Sequence, residues 1–231
     1  MSDHPVIVTV TGHAEREFAP NRCTVALRVH ADGTTREHAA DPVTAAIVTL
    51  TDLVTELRER NNSPVTRWTF DQVRHSRHRP YSKDGKTRPW RYTSSASLTV
   101  TFREFDAVSA FVDTASEVEA VAIANLNWWI TRKTREKRMA KVRDLAVRDA
   151  LAKAKGYTKS LGYSDFRALA VADPGMLGLQ PGPSPGAGGA PMMRAMRSAA
   201  ASASEENGPG YSLEPDRITL SADVEARFEA S

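Results

Sequence analysis

The chain has 231 residues, 41% hydrophobic and 26% charged, with a formal net charge of +3. That is enough apolar material for one large domain or two small ones. Its single cysteine, Cys23, excludes an intrachain disulfide and a multi-cysteine metal site, and without a run of about 18 apolar residues no transmembrane segment is expected.

The opening stretch, MSDHPVIVTVTG, has neither a basic region nor a long apolar one, and its apolar residues alternate with threonine. It reads as a strand and not as a signal peptide, so a cytoplasmic location is expected. Strands are predicted over 6–12 and 22–31, with Gly12 and Pro20-Asn21 punctuating the loop between them. In the second, Cys23, Val25, Leu27, Val29 and Ala31 share one face, which makes Cys23 a small core residue. The alternative, a reactive thiol, has only Arg22 nearby to depress its pKa.

Helical spacing then takes over from about Thr35 to Arg60, with Val43, Ile47, Leu50, Val54 and Leu57 in one stripe. Asp41-Pro42 lies inside this span. Either the helix starts there, capped by Asp41, or an earlier turn runs into the proline. Two strands follow, over 64–80 and 89–103. The second alternates Ala96, Leu98, Val100 and Phe102 inward against Ser95, Ser97, Thr99 and Thr101 outward. Asp84-Gly85 between them is a hairpin signal, because a tight turn needs positive φ.

A short helix is predicted over 106–118, with Asp106 as its N-cap, then a strand over 121–132. A long helix over 135–161 carries Met139, Val142, Ala146, Ala150, Ala154, Tyr157 and Leu161 on an apolar face, with Arg143 falling in the same sector. Gly162 is placed to end it. A strand over 166–173 leads into residues 175–210, rich in Pro, Gly, Ala and Ser, which read as a flexible loop. Order returns in a closing strand, 214–228, where Ile218, Leu220, Ala222, Val224 and Phe228 alternate with polar residues. The loop is therefore an insertion within one domain spanning 1–231. The whole is an α+β fold of mainly antiparallel strands and three helices, in the order ββαββαβαββ.

Positive charge is concentrated at the hairpin. Between Arg74 and Arg91 stand seven basic side chains (Arg74, Arg77, Arg79, Lys83, Lys86, Arg88, Arg91) and one acid, Asp84, a net +6 that leaves the remainder of the chain at −3. Tyr81, Trp90 and Tyr92 are interleaved with these cations. Such an arm can reach an acidic surface on another subunit, or contact single-stranded nucleic acid through backbone charge and base stacking. Arg77, Arg79, Tyr81, Lys83, Lys86, Arg88, Trp90 and Tyr92 are the candidate contact residues. Trp129 joins them, because Trp128 and Trp129 point to opposite faces of their strand and tryptophan is enriched at interfaces.

No enzyme constellation emerges. His75 and His78 fall on opposite faces of an extended strand. His4, His13, His30 and His38 have no ligands at the spacing of a closed metal site. The glycines open no phosphate-binding helix, no serine sits in a nucleophile elbow, and Glu205-Glu206 lie in the predicted loop. Met192, Met193 and Met196 of MMRAMR could seat in a partner's groove or hold a soft metal such as Cu(I), against the plainer reading of a disordered segment. No catalytic residue, metal or cofactor is expected.

Taken together, VTVTGHAEREFAPNRCTVALRV, RPYSKDGKTRPWRYTSSASLTVTFRE, ALAKAKGYTKSLGY and LEPDRITLSADVEARF resemble, in order and spacing, the SIMPL-domain family. Three features depart from its pattern: Pro20-Asn21 for the commoner Pro-Asp, Glu119-Ala120 where the family has a glycine, and the lack of the leader many members carry. The resemblance implies a two-lobed α+β fold, homo-oligomerisation, and a role in stress defence or partner binding in signalling. It supplies no catalytic residues. The expected function is thus non-catalytic partner binding by a homo-oligomer with an unknown protein partner, the alternative being a nucleic-acid-associated protein that uses hairpin 74–92.

Overall fold

The computed structural model describes residues 5–81, 87–178 and 215–231. Its elements run β1 (Val6–Phe18), β2 (Arg22–Gly33), α1 (Arg36–Glu59), β3 (Val65–Phe70), β4 (Arg74–His78), β5 (Arg91–Phe102), α2 (Asp106–Ser116), β6 (Val121–Trp129), α3 (Arg132–Ser160), β7 (Phe166–Ala172) and β8 (Ile218–Ala230). Three helices and eight antiparallel strands make the α+β class expected, in the expected order. The predicted strand over 64–80 is present as two pieces, β3 and β4, both paired to β5 and separated at 71–73.

Chain contacts group these elements into two compact units. The larger, Phe18–Arg135 with Ser212–Ile218, holds a five-stranded sheet ordered β3-β5-β2-β6, with β4 also on β5. Its core joins Cys23, Val25, Leu27 and Val29 of β2 to Ala96, Leu98, Val100 and Phe102 of β5. Val43, Ala46, Leu50, Val54 and Leu57 of α1 and Val108, Phe111 and Ala115 of α2 complete it. Each large apolar side chain fully buried in this way contributes about 1.5–3 kcal/mol. The period of two in β5 and the period of 3.6 in α1 therefore meet in one layer, as their sequences require.

Local chemistry sets the helix ends, not always where the sequence pattern puts them. α1 starts at Arg36, with the Thr35 hydroxyl accepting from the His38 N–H, so Pro42 lies inside the helix and Asp41 is not its cap. The short helix α2 has Phe105 at its N-cap position with no side-chain cap, so Asp106 is its first residue instead. α3 begins three residues earlier than its apolar periodicity predicts. Asn21 ties that start to the β1–β2 turn: its side-chain oxygen accepts from the Thr131 N–H, and its amide donates to the Thr131 and Thr134 hydroxyls. Asparagine in place of aspartate keeps this turn and adds the amide donor.

The smaller unit, Met1–Glu17, Glu136–Tyr211 and Thr219–Ser231, holds a three-stranded sheet ordered β1-β8-β7. β8 buries Leu220, Ala222, Val224, Ala226, Phe228 and Ala230 in strict alternation, and Phe228 meets Phe166 edge-on at 5.5 Å. Against them α3 buries Val142, Ala146, Ala150 and Ala154, a stripe of small residues repeating every four. Gly12 is a strand residue and not part of a turn. A Cβ there would stand 2.0 Å from the Ala146 carbonyl oxygen, so helix and strand backbones meet at a separation only glycine allows.

Tyr157 and Leu161 are exposed, contrary to the predicted apolar face, and Arg143 is exposed as well. The buried stripe is narrow because alanine at every fourth position leaves no room for flanking side chains. Gly162 does end α3: at φ +82° its N–H donates to Lys159 O, and Tyr163 N–H donates to Thr158 O. Residues 175–178, the start of the predicted loop, are held. The Glu225 carboxylate accepts from the Gly175 and Leu177 N–H groups, and Arg227 donates to Leu177 O. The rest of that stretch, 179–210, lies outside the described residues.

Ala120, between α2 and β6, sits at φ +64°, the left-handed region glycine favours. A side chain there costs about 1–2 kcal/mol, and this is the junction where the sequence lacks the family's glycine. Ala120→Gly is expected to raise stability by about 1 kcal/mol, after allowance for glycine's greater freedom in the unfolded chain. Chemical denaturation checks this; a lower midpoint would contradict it.

Candidate functional site

The candidate site is the β4–β5 hairpin. The two strands pair from Arg74↔Ser95 to His78↔Arg91, so the chain reverses between these positions. Lys83, Asp84, Gly85 and Lys86, and with them the predicted turn, lie outside the described residues. Cross-strand neighbours share a face, and the pairing puts Arg77 with Tyr92 on the face that carries Ala96, Leu98 and Val100 further along β5. That face is covered by α1 over the sheet and continues bare into the hairpin.

Every described residue from Asp71 to Tyr81 and from Thr87 to Arg91 is exposed. Tyr81 is 89% exposed and Trp90 37%, large values for aromatic residues. Trp90 is held in place by two cations: the Arg77 and Arg79 guanidinium carbons lie 4.6 and 4.4 Å from its ring centroid. Each such contact contributes about 0.5–1 kcal/mol at an exposed site, enough to order the indole without burying it. Arg74, Arg77, Arg79, Arg88 and Arg91 form no ion pair with an acid among the described residues.

At the root of the hairpin, an open cavity of about 370 Å³ lies between the first residue of α1 and the two strands. Arg36 lines it from the helix, His75, Ser76 and Arg77 from β4, and Tyr92, Thr93 and Ser94 from β5. Ser94 is buried and its hydroxyl is 2.8 Å from His75 Nδ1, which fixes the imidazole against the cavity wall. Sequence patterns gave no signal for this cavity, because Arg36 is 39 residues before His75 and lines the same cavity only through the α1–β5 packing.

The remaining candidates are dispersed. Trp129 pairs with Arg22 on the opposite edge strand and donates its indole N–H to the Thr24 hydroxyl at 2.9 Å; it is not near the hairpin residues. Trp128 packs edge-on against Phe105 over the core. His75 and His78 are three register positions apart, on opposite faces of β4, and His78 neighbours Asp32. The Thr93 hydroxyl donates to Asp32, and that bond, with His30 alongside, holds the carboxyl below its usual range. In the smaller unit, His13 Nδ1 stands 2.7 Å from Asp223, and Asp149 accepts from the His13 N–H and from Lys153. Lys153, then the His13 N–H, holds Asp149 below the usual carboxylate range. These exposed pairs contribute little to stability. Met192, Met193 and Met196 lie outside the described residues, and no group of three metal-ligating side chains occurs among the described ones.

Cys23 is fully buried between β5 and β6, opposite Phe102 and Trp128. Burial closes off access to its thiol and pushes its pKa up to about 11, both of which favour the core-residue reading over the reactive thiol. No helix among the described residues is long and apolar enough to cross a membrane.

In comparisons with known proteins, the family described as "SIMPL: Protein of unknown function (DUF541)" matches residues 8–228. No curated protein matches the chain.

Cys23 is expected to resist a disulfide exchange reagent at pH 8 in the native protein and to react within seconds after denaturation. With its pKa raised, the thiolate is scarce, and burial blocks access. Fast native-state labelling by absorbance would contradict this.

Proposed function

We propose that this chain, a member of the SIMPL family with a basic arm whose arginines have no acid partner among the described residues, is a non-catalytic assembly protein that works by binding partners, the first of them another copy of itself. The observation that carries this reading is Trp90, held upright between Arg77 and Arg79 on a hairpin with no acid paired to its arginines among the described residues. Ordered aromatic side chains ringed by arginine are the usual anchors of protein interfaces.

The larger unit also carries the surface such an arm fits. Between residues 103 and 119 stand Glu104, Asp106, Asp113, Glu117 and Glu119, with Arg103 the one basic residue among them, and all are exposed. This acidic stretch is built on α2, which packs on β6, while the basic arm is built on β4 and β5. β6 and β4 lie on opposite sides of the β5-β2 pair. Complementary charge at opposite edges of one sheet favours a head-to-tail contact, which closes into a ring or extends as a filament. Steering by opposite charge speeds encounter, and the Trp90 and Tyr81 rings supply the apolar area.

Reversal of Arg77, Arg79, Lys83 and Arg88 to glutamate is expected to reduce the mass measured by light scattering to that of the single chain. Reversal of Asp113, Glu117 and Glu119 to lysine is expected to do the same, and an equimolar mixture of the two variants to restore the assembly. Unchanged mass in either variant contradicts the reading. The nucleic-acid alternative wins if the arm variant keeps its mass while losing a tight, salt-dependent affinity of the wild-type chain for single-stranded oligonucleotides.

A further inference from the structure

The cavity at the root of the hairpin has a chemistry distinct from that of the arm. Its volume of about 370 Å³ falls within the range of small-ligand sites. Its lining contains two arginines, Arg36 and Arg77, brought together from different elements, along with His75 and no acidic side chain. Glu37 follows Arg36 in the chain, but its carboxylate turns to its own backbone N–H and the Thr35 hydroxyl, so it does not neutralise the cavity.

Arg36 and Arg77 both line the cavity, Arg77 with its guanidinium also 4.6 Å from the Trp90 ring centroid, and two cations on one cavity favour an anion between them. Each offers up to five N–H donors in a planar fork suited to an oxyanion. The Tyr92 phenol adds a neutral donor, and Ser94 holds His75 in place at 2.8 Å. This donor set exceeds what a single carboxylate can accept and matches the three terminal oxygens of a phosphate monoester. The Tyr92 ring, half-buried on the cavity floor, gives a flat apolar surface on which a base can stack.

We propose that this cavity binds the phosphate of a small phosphate monoester of mononucleotide size, held by Arg36 and Arg77 with His75 and with Tyr92 as the stacking surface. The site goes beyond the assembly reading; it shares Arg77 and Tyr92 with the arm, whereas Arg36 belongs to α1 and separates the two in a test.

Isothermal titration calorimetry at low salt, with inorganic phosphate, adenosine monophosphate and adenosine as probes, tests it. The wild-type chain is expected to bind the monophosphate, to bind inorganic phosphate more weakly, and to bind adenosine at least about tenfold more weakly than the monophosphate. Arg36→Gln is expected to weaken monophosphate binding about tenfold or more, as loss of a charge-assisted hydrogen bond does. Arg148→Gln, an exposed arginine of the smaller unit, is expected to keep it within about twofold. Circular dichroism confirms that each variant is folded, and Arg36→Lys, which retains the charge, is expected to recover part of the affinity. No monophosphate binding by the wild type, equal affinity for adenosine, or an Arg36→Gln affinity equal to wild type each overturns the proposal. The mass of Arg36→Gln is expected to equal that of the wild type, so failure of this site and failure of the assembly reading are separately visible.

Discussion

The β2–β5 pairing is the constraint on which the larger unit depends. It runs without a break from Cys23↔Phe102 to Gly33↔Tyr92. Because side chains alternate strictly along a strand, an unbroken register fixes which face each residue of β5 takes, over its whole length. Ala96, Leu98, Val100 and Phe102 are committed to the core, and Tyr92 and Ser94 are committed to the same face by the same alternation. A shift of one residue would bury the serine and threonine row and expose the core.

Where β2 ends decides where cover ends. Gly33 is the last residue of β2, and a Cβ there would stand 2.7 Å from the Ala39 N, so the chain turns into α1 with no spare length. α1 therefore begins level with Tyr92, and the inner face of the hairpin beyond that point has no helix over it. The hairpin's exposure, the placement of Arg36 beside His75 and Arg77, and the open cavity among them all follow from that one tight turn. Arg77 and Tyr92 of the arm occupy core-facing positions that lack a core.

Much of this was legible from residue patterns. The inward row of β5, the stripe of α1 and the alternation of β8 each have a clear period, and burial follows them residue by residue. What the patterns missed are contacts made by backbone and by distant partners. Gly12 looks like turn punctuation, yet its missing side chain is what admits the α3 backbone. Thr35, a better cap than Asp41 by position alone, competes with the expectation that a proline marks a helix start. Tyr157 and Leu161 have helical spacing but lie outside an alanine stripe too narrow to cover them. The arm itself stood out by composition. Its cavity did not, since one wall comes from a helix far away in sequence.

In the proposed assembly the arm of one chain meets the acidic α2 surface of another. A buried, unreactive Cys23 makes one direct measurement available, because a cysteine introduced at Tyr81 becomes the labelling site for a thiol-specific photo-crosslinker. Irradiation of an equal mixture of isotopically light and heavy chains, followed by peptide mass spectrometry, separates contacts between chains from contacts within one. The account predicts mixed light–heavy crosslinks from position 81 to peptides covering residues 103–119. Crosslinks confined to a single chain, or mixed crosslinks that fall elsewhere, would contradict it.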